Sequence, residues 1–132
     1  TQQDVPNLVV SPKFPGCEYL GQSFHFKEEW YTFDKFADDL HVILVQDTTK
    51  MSLTAGVDKK LYDRPPYPAT WARQHGQGRV FYTSLGHNEE VWTSAVFEQI
   101  AVGAFRWVLG EVDADLTPNL DQVAPKGRQL QN

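Results

Sequence analysis

The sequence predicts a mixed α/β fold, and three observations carry that prediction. Leu40–Val45 is a nearly unbroken aliphatic and β-branched run, the pattern of a strand covered on both faces. Ala69–Arg73 and Arg79–Thr83 are strand-like runs joined by Gln74-His75-Gly76-Gln77-Gly78, whose two glycines suit a hairpin connection needing positive φ. Ser94–Leu109 sets Val96, Phe97, Ile100, Ala101, Ala104, Trp107 and Val108 on one face at helical spacing. Thr93 or Ser94 can cap that helix, and Gly110 stands where a residue just past the C-terminus belongs.

The other elements follow in chain order. Residues 1–23 are rich in Pro, Gly and Gln, with one short apolar run, Leu8-Val9-Val10. Phe24–Tyr31 begins in alternation and breaks it with the pair Glu28-Glu29. Residues 48–67 are polar, hold Gly56, Pro65 and Pro66, and read as a long loop. Thr83–Asn88 leaves the second hairpin strand through Gly86. From Glu111 onward there is no periodicity, so the tail, in particular 121-132, is expected to be a surface or disordered segment. The predicted set of elements is thin for a closed domain, because one helix covers one face of a sheet and Val42–Val45 asks for cover on two.

Length and charge narrow the function. The 132 residues suffice for one domain. Twelve Lys and Arg against 17 Asp and Glu give a net charge of −5, which speaks against a nucleic-acid surface. No apolar run approaches the roughly 20 residues of a membrane span. The start at Thr1 reads as processed, trimmed or cut from something longer, and the compartment, cytoplasmic or exported, stays open. The single Cys17 excludes an internal disulfide, and its neighbour Glu18 makes it a poor nucleophile.

Three clusters hold residues that a core does not explain. On a strand, period-two spacing puts Glu29 with Tyr31 and Glu28 with Trp30. A carboxylate beside a phenol can grip sugar hydroxyls or act as a general acid or base, and a solvated strand end is the plainer alternative. Trp71 and Arg73 share a face of the first hairpin strand, where arginine can stack or offer its fork to a carboxylate, or Trp71 can simply pack across the hairpin. His87 follows Gly86 at the end of a strand just ahead of a helix. In open α/β sheets ligands bind beyond strand C-termini, and a histidine there can move a proton or hold a metal. There is no phosphate loop, no dinucleotide-binding glycine pattern, no HExxH and no GxSxG.

Taken together, Glu28-Glu29-Trp30-Tyr31, Asp39–Leu44, Pro68–Arg73, Gly76–His87 and the helix closing on Trp107–Gly110 resemble the trehalose-utilisation (ThuA-like) family. Residues 112–119 are similar to the tail of a bacterial subgroup, and the resemblance runs over about residues 24–120, within a ThuA-like domain at 1-120. It implies the C-terminal half of a flavodoxin-like sheet of the class I glutamine amidotransferase type, and a role in the metabolism of trehalose or related keto-disaccharides. Family members are longer, so the resemblance implies an absent first half, with parallel strands beside Val42–Val45. That half would come from a second chain, unless this sequence is a fragment or copies of it pair. Phe14-Pro15 stands where many relatives have His-Pro, and the amidotransferase cysteine has no counterpart here.

The expected function is proton transfer on a keto-sugar, isomerisation or elimination. Glu29 and His87 are its catalytic candidates, and Tyr31, Trp71, Arg73 and Glu28 its substrate-binding ones. No nucleotide cofactor is expected, and a divalent ion at His87 and Glu29 is left open. The alternatives are a non-catalytic carbohydrate-binding module and a structural subunit that completes another chain's sheet. Convergence of Glu29, Tyr31 and His87 in one cleft favours chemistry, whereas a flat exposed row of Trp and Tyr favours binding.

Overall fold

The apolar run at 40–45 forms the middle strand of a five-stranded sheet in the order β2-β1-β3-β4-β5. The computed structural model describes residues 2–33, 35–53 and 58–129. Its strands are β1 (Gln3–Val9), β2 (Ser23–Glu28), β3 (His41–Gln46), β4 (Tyr67–His75) and β5 (Gly78–Thr83). The helices are α1 (Glu89–Trp92), α2 (Ala95–Val108) and α3 (Leu120–Val123). The architecture is mixed α/β, and every pairing in the described sheet is antiparallel.

All six residues of β3 are buried, as an unbroken apolar strand requires. On the first face, Phe97, Ile100 and Trp107 of α2 pack with Val5, Phe14, Trp30, Ile43 and Ala72. Burying each large apolar side chain there is worth roughly 1.5–3 kcal/mol. The helix begins at Ser94, whose side chain accepts from the Val96 amide, and ends before Gly110 at φ +81. Its buried face is rotated from the expected one. Gly103 is inside, Ala101 is only half-buried and Val108 is exposed, because α2 lies with its backbone against the Pro15-Gly16 turn. Phe14 belongs to this core, stacking on Phe81 at 6.0 Å.

The second face of β3 is covered from a distant part of the chain. Val42 and Val45 pack with Leu120 and Ala124, the latter two only 2% and 1% exposed. Of residues 121–132, those described run to Gln129, and they lie on the body: the Arg128 guanidinium reaches Asp121 and the Phe36 carbonyl. Residues 130–132 lie outside the described part, as do 54–57 of the long loop, whose flanks form short 3-10 turns at Thr48–Lys50 and Lys59–Leu61.

The hairpin connection is tighter than the five residues expected. His75 pairs with Gly78, leaving a two-residue turn in which Gly76 has φ +59 and Gln77 does not need positive φ, as a type II′ turn requires. The β3 strand has β1 on one side and β4 on the other, so no further strand can lie beside Val42–Val45. This corrects the expected position of any additional parallel strands: among the described residues, the sheet is open at β2 and β5.

Registers bring five chain segments to one end of the sheet. Gln3 faces Glu28, Gln46 faces Tyr67, and Thr70 faces Thr83. Residues 28–31, 46–48 and 83–88 therefore meet there, although 60 residues separate Glu28 from Asn88.

Candidate functional site

The site is built on a buried carboxylate. Phe24, Phe26 and Glu28 share the inward face of β2, and Glu28 is fully buried. Its Oε1 accepts from the backbone N–H of Gly86 at 2.6 Å and His87 at 3.1 Å. Its Oε2 accepts from Asn88 and Glu29, each at 3.3 Å. A carboxylate is tolerated inside only when its lone pairs are taken, and here backbone donors take them. The 86–88 turn is held from its other side by Trp92, whose indole N–H donates to the Gly86 carbonyl at 2.8 Å. Gly86 has φ +109, and a Cβ there would stand 3.1 Å from the Trp92 ring. Glu28 was expected to contact substrate. Its burial corrects that: it positions the next residue, Glu29, and the turn that carries His87.

Glu29 and His87 come together at the surface. The Tyr31 hydroxyl donates to Glu29 Oε2 at 2.9 Å, and His87 Nδ1 lies 3.2 Å from the same oxygen. Nδ1 is thus the ring nitrogen that faces the carboxylate. Glu29, Tyr31 and His87 are each about two-fifths exposed, so the trio is open to a ligand. The hydrogen bond to Glu29 raises the Tyr31 pKa above the ordinary tyrosine range, keeping the phenol a donor. Backbone anchors fix the segment: the Gln46 side chain donates to the Tyr31 carbonyl and Tyr62 to the Trp30 carbonyl, both at 2.7 Å.

Beside the trio is a cleft of about 290 Å³, bounded by Tyr31, Phe33, Tyr82 and the 83–87 turn. Tyr82 stacks on Trp71 across the hairpin at 4.2 Å, with Phe33 edge-on to both. Trp71 thus backs the cleft through Tyr82, and the aromatics form a packed cluster rather than a flat exposed row. Arg73 is farther off. It faces Val80 two positions beyond Trp71 and pairs with Asp39 at 3.0 Å, so the structure does not bring it to the trio.

Sequence reasoning reached Glu29, Tyr31 and His87 but passed over Tyr82 and Phe33. The signal for Tyr82 was available, since a two-residue turn at Gly76-Gln77 pairs it with Trp71. Phe33 lies in a segment without regular structure and offers no such signal. The reasoning for His87 also changes. The rule about strand C-termini belongs to parallel sheets, and His87 is placed here by the Glu28 carboxylate. A larger groove of about 600 Å³ beside α2, lined in part by Lys13, Glu18, Glu98 and Arg106, shows no comparable convergence. Among the described residues, no group of three or more His, Cys, Asp or Glu side chains is gathered to hold a metal ion. No described helix is long and apolar enough to cross a membrane.

Comparison with known proteins gives a consistent result. The model of the ThuA family, described as trehalose utilisation, matches residues 1–108. A ThuA-like protein from Bacteroides uniformis has a similar solved structure, with a TM-score of 0.65 at 23% identity, over 82% of this chain and 44% of that one. The chain therefore spans less than half the length of that structure. No curated protein matches it.

Proposed function

We propose that this chain, which belongs to the ThuA family of trehalose utilisation, carries an acid–base site for proton transfer on a keto-sugar related to trehalose. The observation that supports it most is the single oxygen, Glu29 Oε2, shared by the Tyr31 hydroxyl and the His87 ring at the mouth of an aromatic-walled cleft. His87 Nε2 takes the proton from the carbon next to the keto group, and the C–H electron pair moves into the carbonyl to give an enediolate. Glu29 stabilises the imidazolium so formed. Return of that proton to the former carbonyl carbon, with the neighbouring hydroxyl's proton passing to the former carbonyl oxygen, completes an isomerisation, and loss of a β-substituent that takes up the proton as it leaves completes an elimination. Tyr31 and Tyr82, backed by Trp71, offer ring faces to the apolar side of the sugar.

A carbohydrate-binding module would present an exposed row of aromatics, and the packing of Trp71 under Phe33 and Tyr82 does not favour that reading. The partner in this proposal is a small sugar, with a further polypeptide completing the fold. The test is deuterium exchange from solvent into the carbon beside the carbonyl of a 3-keto-disaccharide, followed by NMR. Glu29→Gln and His87→Ala should each slow exchange about 10²-fold or more, with thermal midpoints nearly unchanged. Exchange at the uncatalysed rate with wild-type protein, or undiminished exchange in both variants, refutes the proposal.

A further inference from the structure

Away from the cleft at Glu29 and His87, a serine hydroxyl meets an imidazole. Ser11 Oγ lies 2.7 Å from His41 Nε2, and the other ring nitrogen, Nδ1, lies 2.8 Å from the Thr117 carbonyl oxygen. A carbonyl oxygen only accepts, so Nδ1 carries the proton of the neutral ring and Nε2 is left as acceptor for the Ser11 hydroxyl. A hydroxyl, a base within hydrogen-bond reach and a third group orienting that base are the parts of an activated nucleophile.

Each part is held in place. The amides of Val10 and Ser11 both donate to the Ile43 carbonyl, at 3.0 and 3.3 Å. His41 opens β3 and is 7% exposed, so its ring has little freedom. The Thr117 amide and hydroxyl donate to Asp115 Oδ1 at 2.8 and 2.6 Å, and two residues on Asn119 is bonded to both backbone groups of Val42. Support of this kind is what a reactive constellation needs. Ser11 is half-buried and its neighbours Pro12 and Lys13 are exposed, as is Thr117, so the hydroxyl is not sealed in the core. Lys13, Pro15 and Gly16 follow Ser11, Val112 and Asp113 precede Thr117, and all five line the groove of about 600 Å³ beside α2. Two walls of that groove therefore lead directly into the dyad.

We infer that Ser11 and His41 form a second reactive site, in which the serine hydroxyl takes an acyl group from a small carboxylic ester. Ser11 Oγ adds to the ester carbonyl carbon as its proton passes to His41 Nε2. The C–O bond to the alcohol then breaks, and the departing alkoxide takes that proton, leaving an acyl ester on Ser11. Water, deprotonated by the same Nε2, attacks this ester and releases the carboxylic acid as Oγ recovers the proton. The inference is independent of the chemistry proposed for Glu29 and His87: His41 begins β3, whereas that chemistry lies where β3 finishes, with Gln46 bonded to the Tyr31 carbonyl.

The test uses the whole 132-residue chain, with 4-nitrophenyl acetate as probe. A burst of 4-nitrophenolate is expected, with peptide mass spectrometry placing an acetyl group on Ser11. Ser11 should acetylate about 10-fold or more faster than the exposed Ser23, which serves as an internal reference. His41→Asn keeps a donor for the Thr117 carbonyl but has no base, and it should slow acetylation of Ser11 about 10²-fold or more. Ser11→Ala should remove the burst while leaving the circular dichroism unchanged. The comparison of Ser11 with Ser23 is made within the wild-type chain, so a misfolded His41→Asn leaves the test intact. Acetyl groups confined to lysines, Ser11 reacting no faster than Ser23, or undiminished reaction in a folded His41→Asn overturns the inference.

Discussion

Replacing Glu28 by glutamine tests whether one buried carboxylate holds the site together. The side chain accepts from four backbone amides, and it is fully buried. Glutamine keeps one acceptor oxygen, enough for the Gly86 and His87 amides, but these bonds weaken from the charge-assisted range of about 1.5–3 kcal/mol to about 0.5–1.5 kcal/mol each. Its amide nitrogen must then face the Asn88 and Glu29 donors, and a buried donor left unpaired costs about 1–3 kcal/mol. The expected loss is about 2–5 kcal/mol, a large share of the roughly 5–15 kcal/mol that holds a domain together. Glu29→Gln, at a half-exposed carboxylate, should stay within about 1 kcal/mol. Urea unfolding followed by circular dichroism measures both, and native-state amide exchange at residues 86–88 should accelerate in Glu28→Gln alone. Equal unfolding midpoints for the two variants, with unchanged exchange in the turn, would refute the reasoning.

Two further outcomes are expected. Gly103→Ala sets helix propensity, which favours alanine by about 1 kcal/mol, against a Cβ that would collide with the Pro15 carbonyl oxygen. Backbone cannot yield there as a flexible side chain does, so the variant should lose roughly 1–3 kcal/mol while the exposed Lys126→Ala changes little; a stabilised Gly103→Ala by thermal melting contradicts the packing described. The Tyr31 phenol should titrate above the ordinary tyrosine range, read as the difference in 295 nm absorbance between wild type and Tyr31→Phe, and Glu29→Gln should bring it down. Because the folded pKa is raised, the bond to Glu29 persists through neutral pH and is lost as pH rises through that value; a midpoint unmoved by Glu29→Gln excludes Glu29 as the cause.

Local patterning made part of this molecule legible. Ser94 and Gly110 bracket α2 because capping chemistry is written in single residues, and Leu40–Val45 announced a doubly covered strand because burial on both faces demands an unbroken apolar run. Adjacent alternation grouped Glu29 with Tyr31. What stayed hidden depends on registers between distant strands. Glu28 reads as a substrate-binding candidate, since nothing local reveals that its acceptors meet amides near residue 87. The tail lacks periodicity because, among its described residues, Leu120, Val123 and Ala124 enter the second face, too few to make a pattern. Arg73 looked available, yet a single long-range partner, Asp39, takes its guanidinium.

The cover over that second face also sets an order of events. Asn119 acts as a surrogate strand residue: its side-chain oxygen accepts from the Val42 amide at 2.6 Å, its nitrogen donates to the Val42 carbonyl at 3.0 Å, and its own amide donates to Leu40. The two side-chain bonds span 77 residues of sequence. A ribosome adding about 5–20 residues per second therefore exposes the Val42 side of β3 for several seconds before Asn119 and Leu120 are made. Contacts this remote in sequence slow folding, so the nascent sheet passes through a stage in which one apolar face is bare, and closure of that face waits for residues 119–124.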